Sequence, residues 1–124
     1  MEESIKHLAD DTDGMATYEW IVNHSDSCGE EMSYLIDNLK RCDGSGQFLA
    51  SSARFLNAVD AEKFSRWIPL LVEGVIEKDR EHRYLMSLLE ALWGEDYMER
   101  AETLKETDNN FRRIYKRVYP TRPF

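Results

Sequence analysis

Apolar side chains recur along this chain at intervals of three and four, the period of an α-helix that buries one face. The clearest stripe is Leu85, Leu88, Leu89, Leu92 and Trp93, with Gly94 beyond it as a C-terminal stop. A second stripe is Met32, Leu35, Ile36 and Leu39. Ser27 and Glu30 have the spacing of a capping box, which predicts that this helix starts near Cys28, and Lys40 and Arg41 suit its negative end. Upstream, Ile5 and Leu8 mark a short or frayed first turn, and Asp13 can cap a helix carrying Met15, Tyr18 and Val22 on one face.

Downstream the same spacing continues. Asp43 to Gly46, Asp-Gly-Ser-Gly, is the clearest loop. Phe48, Leu49, Phe55, Leu56 and Val59 predict the helix after it. Asp60 can cap a further helix with Phe64, Trp67 and Ile68, until Pro69 either kinks that helix or ends it and opens a new one carrying Leu71, Val72, Val75 and Ile76. The run 77–83 is a solvated, charged link. Asp96 and Glu99 resemble a cap ahead of Ala101 and Leu104, and Thr107 or Asp108 caps a last helix with Phe111, Ile114, Tyr115, Val118 and Tyr119 on one face, ended by Pro120. No alternating run predicts a strand, and no repeat of 30–45 residues predicts a solenoid.

The expected architecture is therefore all-α: one domain over 1–124, a compact bundle of six or seven short helices with mostly antiparallel neighbours, frayed over 1–12 and extended over 120–124. A chain of 124 residues can bury about two-thirds of its unfolded surface in one core.

Charge adds a polarity that the apolar pattern does not show. The formal net charge is -8, and residues 1–39 hold ten acids against one base. Residues 109–124 hold five bases and no acid. An acidic body disfavours general adhesion to nucleic acid or to an anionic membrane, but leaves room for a local contact at the basic end. The acidic start lacks the basic and apolar character of a secretory signal, and no run approaches the roughly 20 apolar residues of a membrane span. The expected compartment is the cytoplasm.

Candidate chemistry is sparse. His24 and Cys28 are weak metal candidates, with Asp26 and Cys42 near them in sequence, but their spacing fits no paired-ligand pattern. Cys28 and Cys42 at opposite ends of one helix would be roughly 21 Å apart, too far for a disulfide. No nucleotide-binding, metalloprotease or nucleophile-elbow motif is present, so no catalytic residue and no cofactor are expected. A helix-turn-helix over 52–71, with Lys63 and Arg66 on its second helix, competes poorly with two packed core helices. Trp20 lies off the stripe of its helix and is the candidate aromatic anchor for a partner.

The basic end carries the main functional expectation. Arg113, Lys116 and Arg117 share one face of the last helix, with Arg112 to the side and Arg122 in the tail. The reading is a non-enzymatic module that docks an acidic protein surface or a second copy of itself through this ridge. The alternative is phosphate binding, with Tyr115, Tyr119 or Phe124 stacking on bases. Helix-dipole stabilisation of cations near a C-terminus, about 0.3–1 kcal/mol each, accounts for the ridge without any partner.

Overall fold

The structure, a computed structural model, describes residues 5–120. Its elements are a 3-10 turn, His7–Asp10, and seven α-helices: α1 (Met15–Asn23), α2 (Met32–Cys42), α3 (Gln47–Asp60), α4 (Ile68–Lys78), α5 (Leu85–Trp93), α6 (Ala101–Thr107) and α7 (Asn109–Val118). The described residues contain no strand. None of the helices is long and apolar enough to cross a membrane.

α3 packs on α4, α1, α5 and α2, and α4 also meets α7 and α2. α1 packs on α2 and α5 on α7, and α6 packs chiefly on α7. One continuous core runs through the stack, from Leu8 and Ile21 through Leu35, Leu49, Leu56 and Leu71 to Leu88 and Phe111. The predicted stripes of α2 and α5 supply much of it: Met32, Leu35, Ile36, Leu39, Leu85, Leu88 and Leu89 are all buried.

Three joints between these helices share one construction. Asp11, Asp43 and Asp79 each follow the end of a helical segment, and all three are buried, at 8%, 1% and 3% exposure. Each carboxylate turns forward and accepts backbone N–H groups that the next helix leaves without an internal partner. Asp11 accepts from Gly14 and Thr17, Asp43 from Gly46, Phe48 and Leu49, and Asp79 from Arg83, Tyr84 and Leu85, at 2.6–3.1 Å. Three positions after each aspartate the backbone turns left-handed, at Gly14 (φ 100), Gly46 (φ 86) and His82 (φ 59).

The joints also touch one another. A Cβ on Gly14 would lie 3.1 Å from the Cβ of Asp43, and one on Gly46 would lie 3.6 Å from the Cβ of Asp79. Each glycine thus faces the aspartate of the following joint. His82 has no later joint to face and is exposed, so the third joint accommodates a side chain at its left-handed position.

The first joint carries an additional buried network. Thr17 Oγ1 donates to Asp11 Oδ2 at 2.7 Å and accepts from Asn38 Nδ2 at 2.9 Å. Asn38 Nδ2 also reaches the carbonyl of Leu8 at 2.8 Å. Arg41 is held by Asn38 Oδ1 and donates to the carbonyls of Ala9 and Asp11 at 3.1 and 3.2 Å. The segment expected to fray therefore has Ile5 and Leu8 buried and its carbonyls tied to α2.

Several local expectations change. Met15 is 49% exposed, and α1 buries Thr17 and Ile21 instead, because the carboxylate of Asp11 draws Thr17 inward. Asp13 does accept from the Met15 N–H at 2.9 Å, but the residue preceding α1 is Gly14. No side-chain cap forms at Ser27; a 3-10 turn over Gly29–Glu31 precedes α2. The helix expected after Asp60 is absent: residues 61–67 are turns, and Pro69 sits in the first turn of α4. That removes the second helix of the helix-turn-helix alternative.

Two outcomes follow. Gly46→Ala should cost about 1–2 kcal/mol, the penalty of a left-handed backbone with a side chain, since its Cβ contacts are ordinary. Gly14→Ala should cost more, because its Cβ adds contacts at 3.1–3.3 Å to Asp43 and Phe48; equal urea midpoints for the two variants would contradict the joint-on-joint packing. Burial pushes the Asp11 carboxyl upward, but hydrogen bonds from Thr17, Gly14 and Asp13 outweigh it and hold the pKa at about 2. A depressed folded-state value stabilises the fold above the unfolded pKa, by about 2 kcal/mol. The stability advantage of wild type over Asp11→Asn should therefore shrink as pH falls from about 4 towards about 2, measured by urea unfolding at each pH.

Candidate functional site

α7 is positioned from both ends. At its start, Asp108 accepts the Phe111 N–H at 3.2 Å and the Trp93 indole N–H at 2.9 Å, so one carboxylate caps the helix and ties it to α5. Phe111 and Ile114 are buried, and Phe111 meets Trp93 edge-on at 5.3 Å between ring centroids. Phe111, Tyr115 and Tyr119 form a ladder with centroid spacings of 5.6 and 5.0 Å. At the far end the Tyr119 and Tyr97 hydroxyls lie 2.8 Å apart. That hydrogen bond, together with burial, raises the Tyr97 pKa to about 12, so the Tyr97 hydroxyl stays protonated across physiological pH.

With the apolar face fixed inward, the basic face points to solvent. Arg112, Lys116 and Arg117 are exposed and Arg113 is half-buried. Together the four line an open recess of about 390 Å³. Among the described residues no carboxylate lies within 4.0 Å of any of them, whereas Arg83, Arg100 and Lys105 each have one. The ridge's internal bonds are few: Arg112 reaches the Asn109 side chain, and Arg117 the Arg113 carbonyl at 3.5 Å. Arg122 and Phe124 lie outside the described residues.

The aromatic side chains near the ridge are engaged. Tyr115 is stacked within the ladder and takes Lys105 over its ring at 4.9 Å. Tyr119 is bonded to Tyr97. The Tyr115 ring is covered, while Tyr119 is tied through its hydroxyl and one neighbouring ring and remains 37% exposed.

The remaining candidates are dispersed. Trp20 is half-buried, with His24 stacked on its ring at 3.7 Å and His7 edge-on at 6.1 Å. His24 Nδ1 lies 2.9 Å from the Trp20 carbonyl. Cys28 is fully buried with its thiol 3.6 Å from Met32 Sδ, and burial pushes its pKa above the ordinary value, the state of an inert core thiol. Cys28 and Cys42 are both free thiols. Among the described residues no three His, Cys, Asp or Glu side chains are grouped as metal donors. Lys63 lies over Phe64 and Arg66 over Trp67, on turns rather than on a recognition helix.

Sequence reasoning missed the concave surface beside α5. Met86, Ser87, Glu90, Ala91, Glu95 and Tyr97 line an open groove of about 540 Å³, with Met86 51% exposed. Spacing alone signals only that Met86 and Glu90 share a face; the wall made by Tyr97 depends on the turn over 95–100. The chain matches no protein-family model, and comparisons with characterised proteins and with solved structures return no match.

Because no carboxylate among the described residues pairs with the ridge, neutralising it should remove no ion pair among them. The triple variant Arg112→Gln, Lys116→Gln, Arg117→Gln is expected to lose no more than about 0.6–2 kcal/mol, the helix-dipole contribution of Lys116 and Arg117 in the last turn. A much larger loss in urea titration would show that the ridge serves the fold.

Proposed function

We propose that this protein is a non-enzymatic docking module in which the basic face of α7 engages an acidic protein surface. The observation that carries this reading is the ionic isolation of the ridge. The chain has 24 acids, and yet four cations on one helix face have no described carboxylate within 4.0 Å. Some other bases have internal work, as Arg41 binds carbonyls, Arg54 bonds Ser87 and Lys78 bonds the Lys40 carbonyl, but among the described residues only on α7 do four cations without a carboxylate partner line one recess. The ridge is rigid at its root through the aromatic ladder, so little backbone ordering is required on binding. Its cations speed encounter with an acidic surface, while the acidic body repels wrongly oriented approaches.

Phosphate binding is the weaker reading. The net charge of -8 opposes a polyanion, and the tyrosines beside the ridge are engaged in the ladder.

Affinity capture should compare wild type with the variant Arg112→Glu, Lys116→Glu, Arg117→Glu. The expected result is an identified acidic protein, or a second copy of this chain, retained by wild type and depleted at least tenfold by the variant. A low-salt gel shift with short DNA and RNA is expected to be negative. A nucleic-acid shift abolished by the variant, with no protein lost, would replace the docking reading by the phosphate one.

A further inference from the structure

We infer that the acidic surface met by the ridge is the α5 groove of a second copy of this chain, in a reciprocal two-fold dimer. This deepens the docking reading and rests on it. The groove is lined by the exposed carboxylates of Glu90 and Glu95 together with the exposed apolar side chains of Met86 and Ala91. Among the described residues no Lys, Arg or His lies within 4.0 Å of either carboxylate. Met86 and Met98, the latter one residue beyond the groove's Tyr97 wall, are each 51% exposed.

Groove and ridge are complementary in two respects. Guanidinium forks bind carboxylates bidentately. The methylene stems of arginine and lysine pack on apolar surface while their heads stay with the charge, and thioethers adapt to such irregular contacts. No ridge cation lies within 4.0 Å of a groove carboxylate in the same molecule, so this pairing is left for another molecule.

Closure follows from area. One ridge of four side chains covers well under the roughly 800 Å² per partner of a standard interface. Reciprocal placement makes the contact twice, and two-fold symmetry is the commonest closed arrangement. The net charge of -8 on each copy opposes association only weakly at physiological salt, because charges further apart than about 8 Å are largely screened while the contacting pairs are screened less.

The test is molar mass by sedimentation equilibrium, at up to roughly 200 μM and at low and high salt. The expected result is a species of twice 14.6 kDa at low salt that weakens as salt rises. The ridge variant (Arg112→Glu, Lys116→Glu, Arg117→Glu) and a groove variant (Glu90→Lys, Glu95→Lys) should each weaken the dimer at least tenfold. All five positions are exposed, and circular dichroism confirms the fold of each variant. Mixing the two variants keeps one contact as in wild type, exchanges the charges across the other, and should restore a heterodimer. A wild-type monomer throughout overturns the inference and leaves the docking reading to the capture experiment. A dimer indifferent to both variants, or lost in the ridge variant alone without rescue on mixing, also overturns it.

Discussion

A carboxylate removed from water destabilises a fold unless hydrogen bonds or charge replace its hydration, and this protein places three of them at its helix joints. Asp11, Asp43 and Asp79 each accept backbone N–H groups of the following helix. At Asp11 the hydrogen bonds outweigh burial, whereas at Asp43 burial prevails and pushes the carboxyl's pKa above the ordinary value. The arrangement satisfies two demands together. A helix N-terminus leaves four N–H groups without partners and carries partial positive charge, and a buried aspartate supplies what both lack. The chain turns sharply at each joint, which lets successive helices lie side by side. The contact of Gly14 with Asp43 and of Gly46 with the Asp79 joint then fixes how one pair of helices sits on the next. The packing of successive helices rests on these local rules as well as on the stripes of leucines.

That construction explains which parts of the fold sequence reading recovers. The stripes of α2 and α5 were legible because apolar spacing alone determines which face is buried. The face of α1 was not. Its inward residue is Thr17, a polar side chain that becomes a core residue only because Asp11 and Asn38 satisfy its hydroxyl. Residues 61–67 likewise carry helical spacing, but the turns there bring Phe64 inward without forming a helix. The recurrence of the joints escaped a search for repeats because it resides in single positions. An aspartate precedes a glycine by three residues at Asp11–Gly14 and at Asp43–Gly46, while His82 hides the third case. The intervals between joints also differ, so no fixed period appears.

The candidate site was half legible for a related reason. The ridge follows from helical spacing within one segment, so Arg113, Lys116 and Arg117 could be placed on one face from the sequence. Whether those cations find partners in the acidic body depends on long-range packing, which spacing does not encode. Trp20 illustrates the opposite limit. Its position off the stripe suggested an exposed anchor, yet the ring of His24, four residues later, covers one face of it.

The distribution of charge then separates the residues that build the fold from those available to a partner. The buried acids, Asp11, Asp43 and Asp79, serve helix ends, and Arg41 serves the carbonyls of the first turn. Surface ion pairs such as Arg83 with Glu81 and Arg100 with Asp96 add little, since exposed pairs contribute about 0–1 kcal/mol. The cations of α7 belong to neither group. Their helix is held by Asp108, Phe111 and the tyrosine ladder, all on the opposite face. A helix anchored wholly through one face leaves the other free to vary without loss of the fold. Here that free face carries a concentrated charge opposite in sign to the molecule as a whole, the arrangement that gives a surface both orientation and preference for an acidic partner.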